Sequence, residues 1–134
     1  MAVEYTLSEK ENPLDRGVKK TYAQAVSSGT VTFEELIEEV AGVSTTVSPT
    51  DVRAVISEVI RILILHLQAG RTVDLGFGLF KISFKSKGAD SPAEFHVSMI
   101  HSPRVLFRAN RKFFGKLLKN LIYNKRRVKN QDGD

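Results

Sequence analysis

The chain has 134 residues, of which 42% are hydrophobic, a formal net charge of +5 at pH 7 and no cysteine. This length and apolar content fit one folded domain and argue against wholesale disorder. The lack of cysteine excludes disulfides, thiolate catalysis and cysteine-ligated metals.

The positive charge is concentrated toward the end of the chain. Residues 1–80 hold 7 Lys/Arg and 11 Asp/Glu, whereas residues 81–134 hold 13 Lys/Arg and 4 Asp/Glu. The isoelectric point near 9.6 indicates an anionic partner such as nucleic acid, anionic lipid or an acidic protein. The opening residues lack the pattern of a signal peptide, and no segment approaches the roughly 20 apolar residues of a membrane span. We therefore expect a soluble intracellular protein.

The first part of the chain predicts two strands. Residues 3–11 alternate weakly, with Val3, Tyr5 and Leu7 at every second position. Residues 20–26 alternate between the larger side chains of Tyr22, Gln24 and Val26 and the smaller ones between them, as strands do. Residues 12–19 between them contain Pro13 and Gly17 and are typical of a loop. We expect a wide hairpin added to the main domain.

Two helix starts follow. Thr32 and Glu35 fit a capping box for a helix that ends near Gly42. Its predicted buried side chains are Leu36, Ile37 and Val40. In the second helix Ser48 is the predicted cap, Pro49 takes the first helical position and Asp51 favours the N-terminal dipole. This helix should end near Ala69, with Gly70 at the cap, and the pair forms a helix–turn–helix unit.

The second helix is apolar on almost every side over residues 59–65, where Arg61 is the one charged residue. A surface helix of a small domain needs a single apolar stripe, so the other faces must also be covered. An intertwined homodimer is the favoured explanation, and the alternative is a central helix wrapped by the protein's own sheet. The predicted dimer interface consists of Val59, Ile62, Leu63, His66, Phe77 and Phe80.

The segment GRTVDLGFGLFKISF, residues 70–84, predicts two short strands that meet at a corner containing Gly76 and Gly78. The second strand, 79–87, should carry an apolar face and a lysine face. Residues 88–94 are a turn-rich tip, and residues 95–99 should return as a strand. This strand should break at residues 101–103 and resume over residues 105–107. The result is a long two-stranded arm, which has little core of its own.

A last helix is predicted from Asn110, with apolar residues Phe113, Phe114, Leu117, Leu118 and Leu121. Arg111 and Lys112 lie in its first turn, where the helix dipole disfavours cations but where free N–H groups would help to bind phosphate. The alternative for these residues is a solvated basic face. Residues 121–128 predict one more strand, with fraying beyond it.

The sequence contains no recognisable catalytic or metal-binding motif. The three histidines are His66, His96 and His101, and no HExxH, Walker or Ser–His–acid pattern accompanies them. The acidic run from Glu34 to Glu39 is typical of a solvated helix face. We therefore expect no enzyme, no catalytic residue, no metal and no cofactor.

This order of elements resembles the HU/IHF family of bacterial histone-like DNA-binding proteins. The resemblance covers about residues 30–121 and rests on LIEEVAGVSTTVSPTDVRAVISEVIRILILHLQAGRTVDLGFGLFKI and on FRANRKF. The strands before it resemble an extended HU-like subfamily that begins with a strand, an Asn-Pro turn and a Tyr-containing strand. The expected domains are an N-terminal strand extension over 1–29, an HU-like domain over 30–121 and a basic tail over 122–134.

The resemblance implies an α+β, IHF-like fold in which two chains interlock beneath a β-sheet saddle with two β-ribbon arms. It implies a cytoplasmic, nucleoid-associated protein that binds and bends double-stranded DNA with low sequence specificity, without a membrane or a small-molecule substrate. In the family, basic side chains contact phosphates and a proline at each arm tip wedges between base pairs. The expected DNA-binding residues are Lys81, Lys85, Lys87, Pro92, Arg104, Arg108, Arg111, Lys112 and Lys116. By position, Lys85, Lys87, Arg108 and Arg111 match family cations, whereas Lys112 and Lys116 are added from charge alone.

The arm tip departs from the family. It reads KGADSPAEF in place of Arg-Asn-Pro-x-Thr-Gly, and Pro92 is either a wedge or a simple turn proline. Asp90 and Glu94 should repel phosphates. A second hypothesis is therefore an HU scaffold that serves as a protein-interaction or assembly module without strong DNA binding, and RNA binding is a third.

Overall fold

A computed structural model describes residues 1–43 and 46–126. The elements in chain order are β1 (Val3–Asn12), β2 (Asp15–Val26), α1 (Phe33–Gly42), α2 (Pro49–Gln68), β3 (Val73–Asp74), β4 (Gly78–Ser86), β5 (Ile100–Ala109), α3 (Arg111–Lys119) and β6 (Tyr123–Lys125). The strands form two three-stranded sheets with the orders β2-β1-β6 and β3-β4-β5. The described chain is thus a mixed α+β fold with three helices and two small sheets, and the predicted α+β class is confirmed.

The chain divides into two compact units. The hairpin unit comprises Met1–Thr32 and the chain from Leu117 onward, and the helix–ribbon unit comprises Phe33–Lys116. No described side chain of the hairpin unit is buried. The buried hydrophobic side chains of the described chain are Ile37, Ala41, Val52 and Leu67, all in the helix–ribbon unit.

The hairpin of β1 and β2 is tighter than predicted. β2 begins at Asp15, so the loop predicted over 12–19 is wrong. The N–H of Leu14 donates to Asn12 Oδ1 at 3.0 Å, which helps to close the short connection. Gly17 has a φ of +124° and lies inside β2, beside a shift in the pairing register. Glycine suits such an irregularity, and its presence there does not mark a loop.

The third strand of this sheet is β6, which pairs in parallel with the start of β1. The N–H of Arg126 donates to Tyr5 O at 2.9 Å, and the Arg126 side chain pairs with Glu4 at 3.4 Å. The strand predicted over residues 121–128 is confirmed over Tyr123–Lys125. The rest of that prediction, beyond residue 126, lies outside the described residues.

The two helices of the helix–ribbon unit pack through a narrow contact. α1 has the predicted bounds, and Ile37 is fully buried with Ala41, one turn later, against Val52 of α2. The prediction that Leu36 and Val40 are buried is wrong for this chain on its own, because each is nearly half exposed. The contact with α2 lies along the Ile37–Ala41 stripe, so the neighbouring positions remain open.

An ion pair also joins these helices. The Arg53 guanidinium of α2 donates a hydrogen bond to the Glu34 carboxylate of α1, which raises the pKa of Arg53. Both side chains are exposed, so the pair orients the helices and adds little stability.

The ends of α2 follow its sequence signals. Ser48 Oγ accepts from the Asp51 N–H at 3.1 Å, and the Ser48 N–H donates to Asp51 Oδ2 at 3.3 Å. This is the reciprocal arrangement of a capping box. At the other end Gly70 has a φ of +78°, and the Arg71 N–H donates to His66 O at 3.0 Å. This pattern is a Schellman motif, so both predicted caps are confirmed.

The corner between β3 and β4 uses its two glycines differently. Gly76 has a φ of +87°, and its N–H donates to Asp74 Oδ1 at 2.7 Å. At Gly78 there is no room for a side chain, because a Cβ there would lie 2.9 Å from Arg108 O and still closer to the Phe107 ring. The predicted corner is therefore confirmed, with a steric role for the second glycine.

The tip of the ribbon differs from its prediction. The strand predicted over 95–99 is wrong, because this stretch contains a 3₁₀ turn at Val97–Met99 that follows another at Pro92–Glu94. β5 then runs without a break through the residues that were predicted to interrupt it. The irregularity there is a register shift, with Ser102 at a φ of +54°.

α3 begins where predicted but ends at Lys119, so Leu121 lies beyond the helix. No side chain of α3 is buried, and Phe113, Leu117 and Leu118 are all exposed.

Candidate nucleic-acid interface

Four of the predicted DNA-binding side chains share one face of the β4–β5 ribbon. Arg108 lies directly opposite Leu79 in the antiparallel register. Opposite residues point to the same side, and alternate residues of one strand share a face. Lys81, Lys85 and Arg104 therefore lie on the same side as Arg108, and we call these four residues the basic face.

The basic face is exposed, and its four side chains form no internal ion pair within the described chain. Neither β4 nor β5 contains an acidic residue, and no ion pair involves the four side chains within residues 1–43 and 46–126. Asp74 lies at the corner end of this face, opposite Leu79, and its Oδ1 already accepts from the Gly76 N–H. Exposed cations without partners are available to an anionic ligand.

The other face of the ribbon is apolar. The rings of Phe80 and Phe107 lie 4.9 Å apart, and those of Phe77 and Phe107 lie 6.1 Å apart. Phe77 and Phe107 are each nearly half exposed. Sequence reasoning selected Phe77 and Phe80 for a dimer interface but missed Phe107. The alternation of Val105 and Phe107 along β5 would have indicated it.

Asn110 attaches the start of α3 to the corner. Its Oδ1 accepts from the Lys112 N–H at 3.0 Å, as an N-cap does. Its Nδ2 donates to Gly76 O at 3.1 Å, and its backbone N–H donates to Phe77 O at 2.9 Å. The expected role of Asn110 is only to mark the helix start, although Asn directly before a helix is a recognised capping signal.

This attachment creates a cavity of about 360 Å³ where the ribbon meets α3. The cavity brings the two predicted cations Arg108 and Arg111 together in one lining. The complete lining is Asp74, Gly78, Leu79, Arg108, Ala109, Asn110 and Arg111. Lys112 and Lys116 are exposed on α3 and do not line it. The start of a helix flanked by two guanidinium groups is chemically suited to a phosphate.

The remaining predicted contacts lie at the ribbon tip. The Lys87 N–H donates to Met99 O at 2.9 Å and closes the tip. Pro92 is the first residue of its 3₁₀ turn, where a fixed φ and a missing N–H fit well. It is exposed, and Phe95 beside it is 44% exposed. The structure thus gives Pro92 a turn position and leaves it accessible.

The predicted interface on α2 is exposed in part. Val59 is 41% exposed and Ile62 is 46% exposed. Neighbouring apolar side chains of a stable helix are seldom this exposed. Leu63 and His66 are half-buried. His66 Nδ1 lies 3.1 Å from Arg71 Nη1, and since a guanidinium can only donate, the imidazole nitrogen accepts.

The described chain contains neither a candidate metal site nor a candidate membrane span. Residues 1–43 and 46–126 contain no group of three or more His, Asp or Glu that could hold a metal ion. Within the same ranges, no helix combines the length and the apolar character required to cross a membrane.

The helix pair, the glycine corner, the basic ribbon and the capped basic helix together form an α+β domain. The fold is similar to that of a crystal structure described as a "Putative bacterial DNA binding protein" from Bacteroides vulgatus ATCC 8482, with a TM-score of 0.66 and 12% sequence identity. The match covers 96% of this chain and 50% of that chain, so this chain spans half the length of the solved one. At this identity the likeness concerns the fold alone. No curated protein sequence matches the chain.

A family model described as "HU domain fused to wHTH, Ig, or Glycine-rich motif" matches residues 1–124. The chain therefore belongs to this family of HU domains. The match includes the N-terminal strands as well as the helices and the ribbon, which confirms the resemblance to an extended HU-like group.

Proposed function

We propose that the chain is a dimeric architectural protein that binds double-stranded DNA with little sequence preference. The observation that supports this proposal best is the cavity shared by Arg108 and Arg111, next to a basic face whose side chains form no ion pair within the described chain. Binding of this kind is driven by neutralised phosphates, each of which releases about 0.9 counterions. Phosphate contacts carry no sequence information, so low specificity follows.

The proposed DNA-binding domain spans residues 30–121, with residues 1–29 as its extension and residues 122–134 as its tail. The basic face supplies the central contacts, and the helix and the tip add the others. The proposed additional contacts are Lys87, Pro92, Arg111, Lys112 and Lys116. The location consistent with this role is the cytoplasmic nucleoid, and the role is not that of an enzyme.

The proposed homodimer follows from the exposed side of α2. Ile60, Ile62, Ile64 and Leu65 are each about half exposed. The buried hydrophobic core of the described chain has four side chains, which is few for a stable domain of this size. A second copy that covers α2 and the apolar face of the ribbon would complete the core and bring two ribbons together as a saddle.

Bending is part of the proposal through the ribbon tip. Pro92 is exposed there, and apolar wedges that enter the minor groove unstack base steps and kink the duplex. The acids Asp90 and Glu94 beside it oppose close approach to phosphates, so we expect a weaker bend than a basic tip would give.

These tip acids also support the second candidate, an HU scaffold that binds a protein or an assembly partner. A cavity at the tip is lined by Ala89, Asp90, Ser91, Pro92 and Phe95. An exposed ring beside acidic side chains is a surface that a basic protein could recognise.

The test is charge reversal of the two cavity arginines. We expect Arg108→Glu with Arg111→Glu to weaken binding to a fluorescent, sequence-neutral duplex by at least about 30-fold at 0.15 M salt and to lower the log–log salt slope by about 1.8. Sedimentation should still show a dimer. Energy transfer between dyes at the duplex ends reports bending in the same titration.

The matched control reverses the charge of two lysines of the hairpin unit, in the variant Lys19→Glu with Lys125→Glu. It should keep the wild-type affinity for the duplex. A wild-type chain that fails to bind duplex at low salt would reject DNA binding and favour the protein-interaction candidate. Competition by an RNA duplex of equal length identifies RNA as the partner if RNA displaces DNA at equimolar concentration.

A further inference from the structure

The β1–β2 hairpin has two chemically different faces. Residues directly opposite each other in an antiparallel pair point to the same side, so the register assigns each pair to a face. One face carries the pairs Thr6–Gln24, Ser8–Tyr22 and Lys10–Lys20, between Glu4–Val26 at one end and, beyond a register shift, Asn12–Asp15 at the other. We call the six residues of the three central pairs the donor face. The opposite face carries the pairs Tyr5–Ala25, Leu7–Ala23, Glu9–Thr21 and Glu11–Lys19.

The Lys10–Lys20 pair conflicts with the stability of the hairpin. Like charges directly opposite each other destabilise a strand pair. The adjacent pair on the opposite face, Glu11–Lys19, is complementary. Both donor-face lysines are exposed, and neither takes part in an ion pair within residues 1–43 and 46–126. No ion pair of the described chain offsets this repulsion, and an anionic ligand would relieve it.

The neighbours of these lysines suit the same ligand. Tyr22 and Gln24 are exposed on β2, and hydroxyl and amide groups are regular donors to phosphate oxygens. Ser8 Oγ is covered and has no hydrogen-bond partner in the described structure, so the accessible contacts come from the other side chains. Glu4, at the base of this face, is neutralised by Arg126 at 3.4 Å.

The spacing of the donor face also fits an extended anionic polymer. Successive pairs on one face are two residues apart, which is about 7 Å along a strand. The three pairs form a row in which every side chain carries a hydrogen-bond donor and none is acidic. A single bound anion would need convergent groups, whereas a row of donors suits a chain of phosphates.

We propose that the donor face is a second contact for the phosphodiester backbone of DNA, separate from the ribbon and α3. This inference rests on the proposed function and extends it to the hairpin unit. The contact reads no bases and adds about two neutralised phosphates, one for each lysine.

The experiment compares two double variants that remove the same charge from opposite faces. Lys10→Gln with Lys20→Gln changes the donor face. Lys19→Gln with Lys125→Gln changes the other face, where Lys125 lies beside Tyr5. All four lysines are exposed, so both variants should fold, and circular dichroism checks that they do.

Binding to a fluorescent, sequence-neutral duplex is measured against salt concentration. We expect the donor-face variant to bind about 30-fold more weakly at 0.15 M salt, with a log–log slope reduced by about 1.8. The control variant should keep the wild-type affinity and slope.

Equal losses in both variants would overturn the inference, because they would report net charge alone. Unchanged binding by the donor-face variant would also overturn it and direct attention to an acidic protein as the partner of this face. Failure of the proposed function can be distinguished from failure of the hairpin contact. If wild-type chain does not bind DNA, both ideas are rejected, whereas weakening by the Arg108 and Arg111 reversals alone rejects only the hairpin contact.

Discussion

The hairpin unit and the helix–ribbon unit are held together in different ways. The hairpin unit has no buried described side chain and depends on the backbone pairing of β2, β1 and β6. The helix–ribbon unit has a small core around Ile37 and Val52, and a close contact between Gly78 and Phe107. The hairpin unit should therefore tolerate changes of side-chain size that the helix–ribbon unit does not.

The difference also concerns what each unit leaves uncovered. The exposed side chains of the helix–ribbon unit are largely apolar on α2, which favours a second copy of the chain. Those of the donor face are polar and cationic, which favours an anion. Three sets of variants test this comparison.

The largest expected effect is at Ile62. Ile62→Asp would bury an unpaired charge in the proposed dimer interface, which costs several kcal/mol, so we expect monomers or unfolded chain in sedimentation. Ser57→Asp adds the same charge at an exposed position of α2, one turn from Arg53 and from Arg61, which can pair with it, and should leave the dimer intact. A folded Ile62→Asp dimer would contradict the intertwined arrangement.

The next effect compares one apolar residue from each unit. Ile37 is the only fully buried large side chain of the described residues. Ile37→Ala leaves a cavity there and should lower the free energy of unfolding by about 3 kcal/mol. Leu7→Ala, at a side chain that is 48% exposed in the hairpin unit, should cost below about 1 kcal/mol. Denaturant titration measures both, and similar losses would contradict this difference between the two units.

The smallest effect concerns glycine in the helix–ribbon unit. Gly78→Ala forces a methyl group against the Phe107 ring and Arg108 O and should destabilise by about 2 kcal/mol. Gly115→Ala places the methyl group in open space on α3 and should stabilise by about 0.5 kcal/mol. Thermal unfolding separates the two, and a neutral Gly78→Ala would mean that the corner is looser than its geometry indicates.

Local signals in the sequence predicted some elements closely. Both ends of α2 were predictable, because Ser48, Asp51 and Gly70 act on backbone groups within a few residues. The corner at Gly76 was predictable for the same reason. The cations of the site could be selected from charge and from family position, since both are read directly along the chain.

Other features depend on distant parts of the chain. The backbone bond from the Lys87 N–H to Met99 O joins residues across the tip, and the alternation of residues 95–99 does not indicate it. The β4–β5 register decides that Arg104 and Arg108 share a face with Lys81. The donor face likewise required the β1–β2 register, because no single strand contains both members of the Lys10–Lys20 pair.

The hydrogen bonds of Asn110 also have a consequence for the order of folding. Its cap to Lys112 is local and can form as soon as α3 nucleates. Its bond to Gly76 O joins residues 34 positions apart, so it must await closure of that loop, which carries an entropic cost. The pairing of Gly78 with Ala109 brings these partners together. The start of α3 is therefore secured late, after β4 and β5 have paired in register, and slow pairing of the ribbon would delay it.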